Sequence, residues 1–128
     1  MKSITAALLG YADPATGHPA VDVIKDSAGQ KGTGRWTVIE ALKLGQSATA
    51  IEGAVAARSW SSEKAARGVA SGMLPGPEGA ELPDEATLEA AMLAARILTH
   101  AQGFRVLAAA SEEFGWSLDL ARIAEIWR

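Results

Sequence analysis

Three glycines fall within the eight residues Ser27-Ala28-Gly29-Gln30-Lys31-Gly32-Thr33-Gly34, and this segment has the clearest chemical use in the chain. Glycines let backbone N–H groups approach an anion closely, and a helix N-terminus behind them adds partial positive charge. Lys31 and Arg35 flank Thr33, so two cations and a hydroxyl gather where the next helix begins. That set of groups suits a phosphate. It is not a Walker loop, because the order is Lys-Gly-Thr and no apolar strand precedes it. Nor does Gly29-x-x-Gly32-x-Gly34 have the dinucleotide spacing. The plain alternative is a glycine-dense start to a helix with solvated charges.

Arg58 is the second candidate. It follows Ala54-Val55-Ala56-Ala57 on a segment with few other charges. It can run along its own stem to water, or project into a cleft where its planar fork takes a carboxylate or phosphate in bidentate fashion. The other polar groups offer less. His18 sits in a turn, and His100 lies on a long helix where capping or packing is its use. No histidine pair has ligand spacing, no acidic run resembles a Ca²⁺ loop, and cysteine is absent, so thiolate metal sites and a Cys nucleophile are excluded. Ser59-Trp60-Ser61-Ser62 carries hydroxyls but no base to activate one. Asp84-Glu85 and Glu112-Glu113 read as solvated helix-end charges.

The elements that must position these residues are helical. The chain has 128 residues, room for one domain, with 48% hydrophobic and 21% charged residues, a globular composition. Its formal charge of −3 argues against a bulk electrostatic grip on nucleic acid or an anionic membrane. No targeting signal or stretch long enough to span a bilayer is evident, which makes a soluble cytoplasmic protein the expectation. Apolar residues recur at three- and four-residue spacing throughout, and no period-two stretch is convincing, so the fold class is all-α. Residues 3–9 read as the end of a helix closed by Gly10, and Asp13-Pro14-Ala15-Thr16-Gly17 as a turn. A short helical segment around Val21–Ile24 precedes the glycine loop. From Arg35 a helix carries Trp36, Ile39 and Leu42 to a Gly45 C-cap. Ser47 is expected to cap a second helix reaching about Trp60, and Ser61 or Ser62 a third from Glu63 to about Met73. Pro75-Gly76-Pro77-Glu78-Gly79 is a break. Asp84 then caps a long helix to Glu113, in which Gly103 is expected to mark close packing against another helix. Gly115 ends it, and Ser117 is expected to cap a last helix. Leu42, Ile51, Val55, Met92, Leu98, Leu107 and Trp127 are expected to be mostly buried, as are Trp36 and Trp116.

The run Asp26-Ser27-Ala28-Gly29-Gln30-Lys31-Gly32-Thr33-Gly34-Arg35-Trp36-Thr37 resembles the signature of the C-terminal domain of 6-phosphogluconate dehydrogenases. Further segments resemble that family in order: residues 52–58, ending in Ala-Arg; Ala101-Gln102-Gly103-Phe104; Glu113-Phe114-Gly115-Trp116; and Ile123-Ala124-x-x-Trp127-Arg128. The resemblance runs from about Asp13 onward. It implies that Lys31, Thr33 and Arg58 bind the substrate phosphate, joining the two candidates. It also implies oxidative decarboxylation of 6-phosphogluconate to ribulose 5-phosphate with NADP, in the pentose phosphate pathway. Trp60, and Ser47-Ala48 in place of a common proline-containing turn, depart from the family pattern near Arg58.

The family's nucleotide-binding domain, its general-base lysine and its His-Asn-x-x-Glu segment have no counterpart in these 128 residues, and the family chain continues beyond Trp-Arg. The expectation is therefore a single partial helical domain, 1–128, resembling the first half of the family's C-terminal domain. No catalytic residue, cofactor site or metal site is assigned to it, and it is expected to be inactive alone. Expected partners are 6-phosphogluconate or phosphate, bound weakly, and a second copy or a complementary enzyme piece meeting the long helix 84–113. A non-enzymatic helical module for association or sugar-phosphate binding is the alternative, and a plain structural domain a third reading.

Overall fold

The computed structural model describes residues 4–74, 76, 79 and 81–127. Among these the chain forms seven α-helices and no sheet: α1 (Ile4–Leu9), α2 (Ala20–Val23), α3 (Thr33–Lys43), α4 (Thr49–Ser62), α5 (Lys64–Met73), α6 (Glu85–Glu113) and α7 (Leu120–Ile126). The all-α expectation holds; an isolated bridge between Ala12 and Pro19 is the sole extended pairing among the described residues. Met1, Lys2, Ser3, Arg128 and most of the expected break at Pro75-Gly76-Pro77-Glu78-Gly79 lie outside the described residues.

Helix α4 is the hub. It packs against α3, α5 and α6, while α7 folds back on the end of α6 and α1 meets α2. The core is small: Ala41 of α3, Ala48 just before α4, and Val106 of α6, with Leu44 and Ile51 packed on them. Ala41 and Ala48 have no exposed surface, and methyl-sized side chains there let the three helices approach closely.

The boundaries follow local chemistry, in places not the residues expected. The Asp13 carboxylate accepts from the Thr16 N–H at 2.9 Å and from its hydroxyl at 2.7 Å, closing the first turn before Gly17. Gly45 and Gly115 adopt left-handed backbone just past α3 and α6, as their C-cap roles require. Asp84 caps α6 by accepting from the Thr87 N–H at 2.7 Å. Ser47 does not cap α4. The N-cap position is Ala48, and a residue from another helix does the work: Gln102 of α6 accepts from the Ala50 N–H at 2.9 Å and donates to the Thr49 hydroxyl at 3.0 Å. Neither Ser61 nor Ser62 caps α5; both belong to α4, and Glu63 joins the two helices. The cap of α7 is Asp119, which accepts from the Arg122 N–H, while Ser117 takes φ +52 in the turn.

The expected burial fails. Leu42, Met92, Leu98 and Trp127 are 65%, 70%, 58% and 61% exposed, and Ile51, Val55 and Leu107 are only half-buried. Trp36 and Trp116 are exposed as well, so water can satisfy their indole N–H groups. Helical periodicity selects a face, but a face is buried only where an element covers it. The 29 residues of α6 span roughly 43 Å, and those from 85 to 101 are all exposed. Gly103 does not mark close helix packing either: a Cβ built there would meet nothing within 4 Å. It lines an aromatic groove of about 430 Å³ with Trp36, Phe114, Trp116 and Trp127.

Candidate functional site

The glycine loop lies along one face of α4 and is tied to it residue by residue. The Ala28 N–H donates to the Ser61 hydroxyl at 3.0 Å. The Gly29 carbonyl accepts from Arg58 Nε at 2.8 Å. The Gln30 side-chain amide donates to the Ser59 hydroxyl at 2.5 Å and to the Val55 carbonyl at 3.2 Å. At the near end, the Arg67 guanidinium grips Asp26 through both carboxylate oxygens, each at 3.1 Å, and through its backbone carbonyl at 2.9 Å. The loop leaves through Gly32 at φ +102, a conformation that strains any residue with a Cβ, and α3 begins at Thr33.

Loop and helix enclose an open cavity of about 350 Å³. Lys31, Thr33 and Arg58 all line it, so the sequence-expected set converges, although Arg58 lies 25 residues beyond Thr33. Ile51, Ala54 and Val55 of α4 form its apolar floor. Two cationic residues line the space, and among the described residues no carboxylate does. Arg35, the other loop cation expected from sequence, is not among the lining residues.

The polar groups here are largely unspent. Among the described residues the Lys31 ammonium, the Thr33 hydroxyl and both terminal NH₂ groups of Arg58 have no protein partner. The same holds for the backbone N–H groups of residues 29 to 35, because the first α3 N–H to find an acceptor is that of Trp36, which donates to the Gly32 carbonyl. Helix N-termini leave such donors free, with the macrodipole adding positive potential. A tetrahedral anion suits this array, since it can accept from several directions at once. Arg58 is exposed, but its Nε is held by the Gly29 carbonyl and the residue lines the cavity, so its two terminal NH₂ groups are left for a ligand. Trp60 is exposed and points its carbonyl to Arg67 Nε, and Ala48 is core, so neither family departure displaces Arg58 from the cavity.

Sequence reasoning missed the fastening. Asp26, Gln30, Ser59, Ser61 and Arg67 act together, yet Asp26 and Arg67 are 41 positions apart. A legible signal was the hydroxyl run after Arg58, whose Ser59 and Ser61 serve as loop anchors rather than nucleophiles. His18 is exposed, and His100 Nδ1 pairs with the Arg96 carbonyl at 2.8 Å on its own helix. Among the described residues no group of His, Cys, Asp or Glu could hold a metal, and no helix is long and apolar enough to cross a membrane.

The family described as 6-phosphogluconate dehydrogenase, C-terminal domain, matches residues 1–128. The decarboxylating 6-phosphogluconate dehydrogenase of Candida albicans is 42% identical over 98% of this chain and 26% of its own length. The NADP(+)-dependent decarboxylating enzyme of Bacillus subtilis is 45% identical over 98% of this chain and 28% of its own. Among solved structures, Plasmodium falciparum 6-phosphogluconate dehydrogenase, described in its apo form and in complex with NADP+ and with its substrate 6-phosphogluconate, superposes with a TM-score of 0.80. It shares 34% identity and covers 98% of this chain and 28% of that one. The chain thus spans about a quarter of the length of these relatives.

Proposed function

The chain belongs to the 6-phosphogluconate dehydrogenase family through its C-terminal domain, and on that premise we propose that its cavity binds the phosphate of 6-phosphogluconate. The observation that carries this reading is the convergence of Lys31, Thr33 and Arg58, with unspent donors, on one cation-lined cavity. In it Lys31 acts as a compact point charge on a flexible stem, Arg58 as an oriented fork, and Thr33 as a neutral donor. The N–H groups at the start of α3 complete the shell. Phosphate recognition orients the rest of the sugar acid, so the binding energy of a group remote from the reacting carbons fixes their position.

A bound NADP would supply the hydride acceptor that the family's full reaction needs. The 128 residues carry no strand–glycine-loop–helix fingerprint that fits a dinucleotide, so the cofactor is assigned to other parts of a complete enzyme. The contribution of this domain is a wall of the substrate site, and alone it does not turn over 6-phosphogluconate. A partial site of this kind holds its ligand at about millimolar affinity, about −4 kcal/mol. Calorimetric titration with 6-phosphogluconate tests the reading. Lys31→Ala removes a charge-assisted contact worth roughly 1.5–3 kcal/mol, weakening binding at least tenfold with the fold intact, because Lys31 holds no other residue. Arg58→Ala loses as much and also frees the Gly29 carbonyl. Undiminished binding in both variants would place the ligand elsewhere.

A further inference from the structure

We propose that Arg67 is a positioning residue of the phosphate site, clamping the glycine loop through Asp26 so that Lys31 and Thr33 stand opposite Arg58. The inference rests on the reading of the cavity as a phosphate site. Arg67 does not line the cavity. It sits on α5 with its guanidinium half-buried, and its donors are spent on two structures that do. Nε donates to the Trp60 carbonyl and Nη2 to the Ser61 carbonyl, both in the last turn of α4. Nη1 and Nη2 take the two carboxylate oxygens of Asp26, and Nη2 also takes its backbone carbonyl. One planar group therefore joins the start of the loop to the end of the helix that carries Arg58.

The loop needs such a fastening. Glycine-rich chain loses more conformational freedom on ordering than any other. Asp26 stands five residues before Lys31, and the bonds made by Ala28, Gly29 and Gln30 all register on α4 between Val55 and Ser61. With Asp26 fixed, each later bond closes a short segment; without it, the whole run must be ordered by neutral bonds and one Arg58 contact. The Arg67 hydrogen bonds also hold the Asp26 carboxyl below its ordinary pKa, keeping the acceptor ionised. Lysine cannot substitute, because the grip uses the breadth of the guanidinium fork.

The experiment uses the whole chain, isotope-labelled, with inorganic phosphate as the probe. In Arg67→Ala the loop is competent for only a fraction of the time, and apparent affinity falls by that fraction, about tenfold, while helix amides outside 26–34 keep their positions. Arg67→Lys restores little of it. Asp26→Asn, which leaves every helix contact of Arg67 in place, also weakens phosphate binding, and the double variant Asp26→Asn/Arg67→Ala is no worse than Arg67→Ala, since both break one clamp. Hydrogen exchange at the Ala28 amide, which donates to the Ser61 hydroxyl, speeds without ligand in each variant. Wild-type phosphate affinity in folded Arg67→Ala or in Asp26→Asn would overturn the proposal, as would losses that multiply in the double variant. If the wild-type chain takes no phosphate, the cavity reading fails; unchanged loop exchange in Arg67→Ala overturns the clamp itself.

Discussion

Gly34 offers the sharpest stability test of how the cavity is built. A Cβ at this position would stand 2.9 Å from Val55 Cγ2, well short of the 3.4 Å where ordinary contact begins. About half an ångström must be found between α3 and α4. Val55 cannot supply it cheaply, because a β-branched side chain has a stiff χ1. Overpacking of this kind costs about 1–3 kcal/mol. Alanine's better helix propensity returns less than the ~1 kcal/mol of a helix interior, since Gly34 is the second residue of α3. The balance for Gly34→Ala is a loss of about 1–2 kcal/mol, or a melting temperature lower by roughly 3–8 °C, with weaker phosphate binding whichever wall moves. Thermal unfolding followed by circular dichroism reads the first effect. The rescue is specific: Val55→Ala removes the clashing methyl, so the double variant Gly34→Ala/Val55→Ala loses less than its two single changes together. A Gly34→Ala chain as stable as wild type, or strict additivity of the pair, would refute the claimed approach of the two helices.

Two further outcomes follow from the same structure. Hydrogen bonds from Arg67 hold the Asp26 carboxyl below 3.8, and those from Thr87 do the same for Asp84; the folded chain thus binds these protons less readily than the unfolded one, so their stabilisation is complete above that value and is lost as pH falls below it. Acid titration of stability should show Asp26→Asn flattening this decline, and an unchanged acid limb would contradict it. Leu88, Met92, Ile97 and Leu98 leave an uncovered apolar face along the first half of α6, the kind of patch that marks an association surface, so light scattering should return a dimer or larger species; a monomer over a wide concentration range would count against that association.

Helix existence was legible in the sequence because three- and four-residue apolar spacing and glycine or aspartate boundaries are local signals, as Gly45, Asp84 and Gly115 illustrate. The caps at α4 and α5 were not, because Gln102 reaches α4 from 53 residues away and Ser61 and Ser62 belong to α4 itself. Burial was the least legible property. Met92 sits on an apolar face that no described element covers, and Trp127 stays 61% exposed although its ring stands 5.6 Å from that of Phe104; periodicity carries no information about whether a partner helix exists. The site divides the same way. Lys31 and Thr33 announce themselves beside their glycines, and Arg58 joined them through family resemblance, whereas the Asp26–Arg67 pair becomes visible only when the loop and the α4–α5 corner are seen together.

The central claim is that this cavity reads a phosphate group, and amide shift mapping with matched ligands tests it most directly. Titration of the labelled chain with 6-phosphogluconate should move the amides of residues 29 to 35 and the Arg58 side-chain signal, inorganic phosphate should move the same set, and gluconate, which has the sugar acid without the phosphate, should leave them still. Equal responses to gluconate and 6-phosphogluconate, or shifts centred on the aromatic groove of Trp36, Trp116 and Trp127 instead of the loop, would contradict the account.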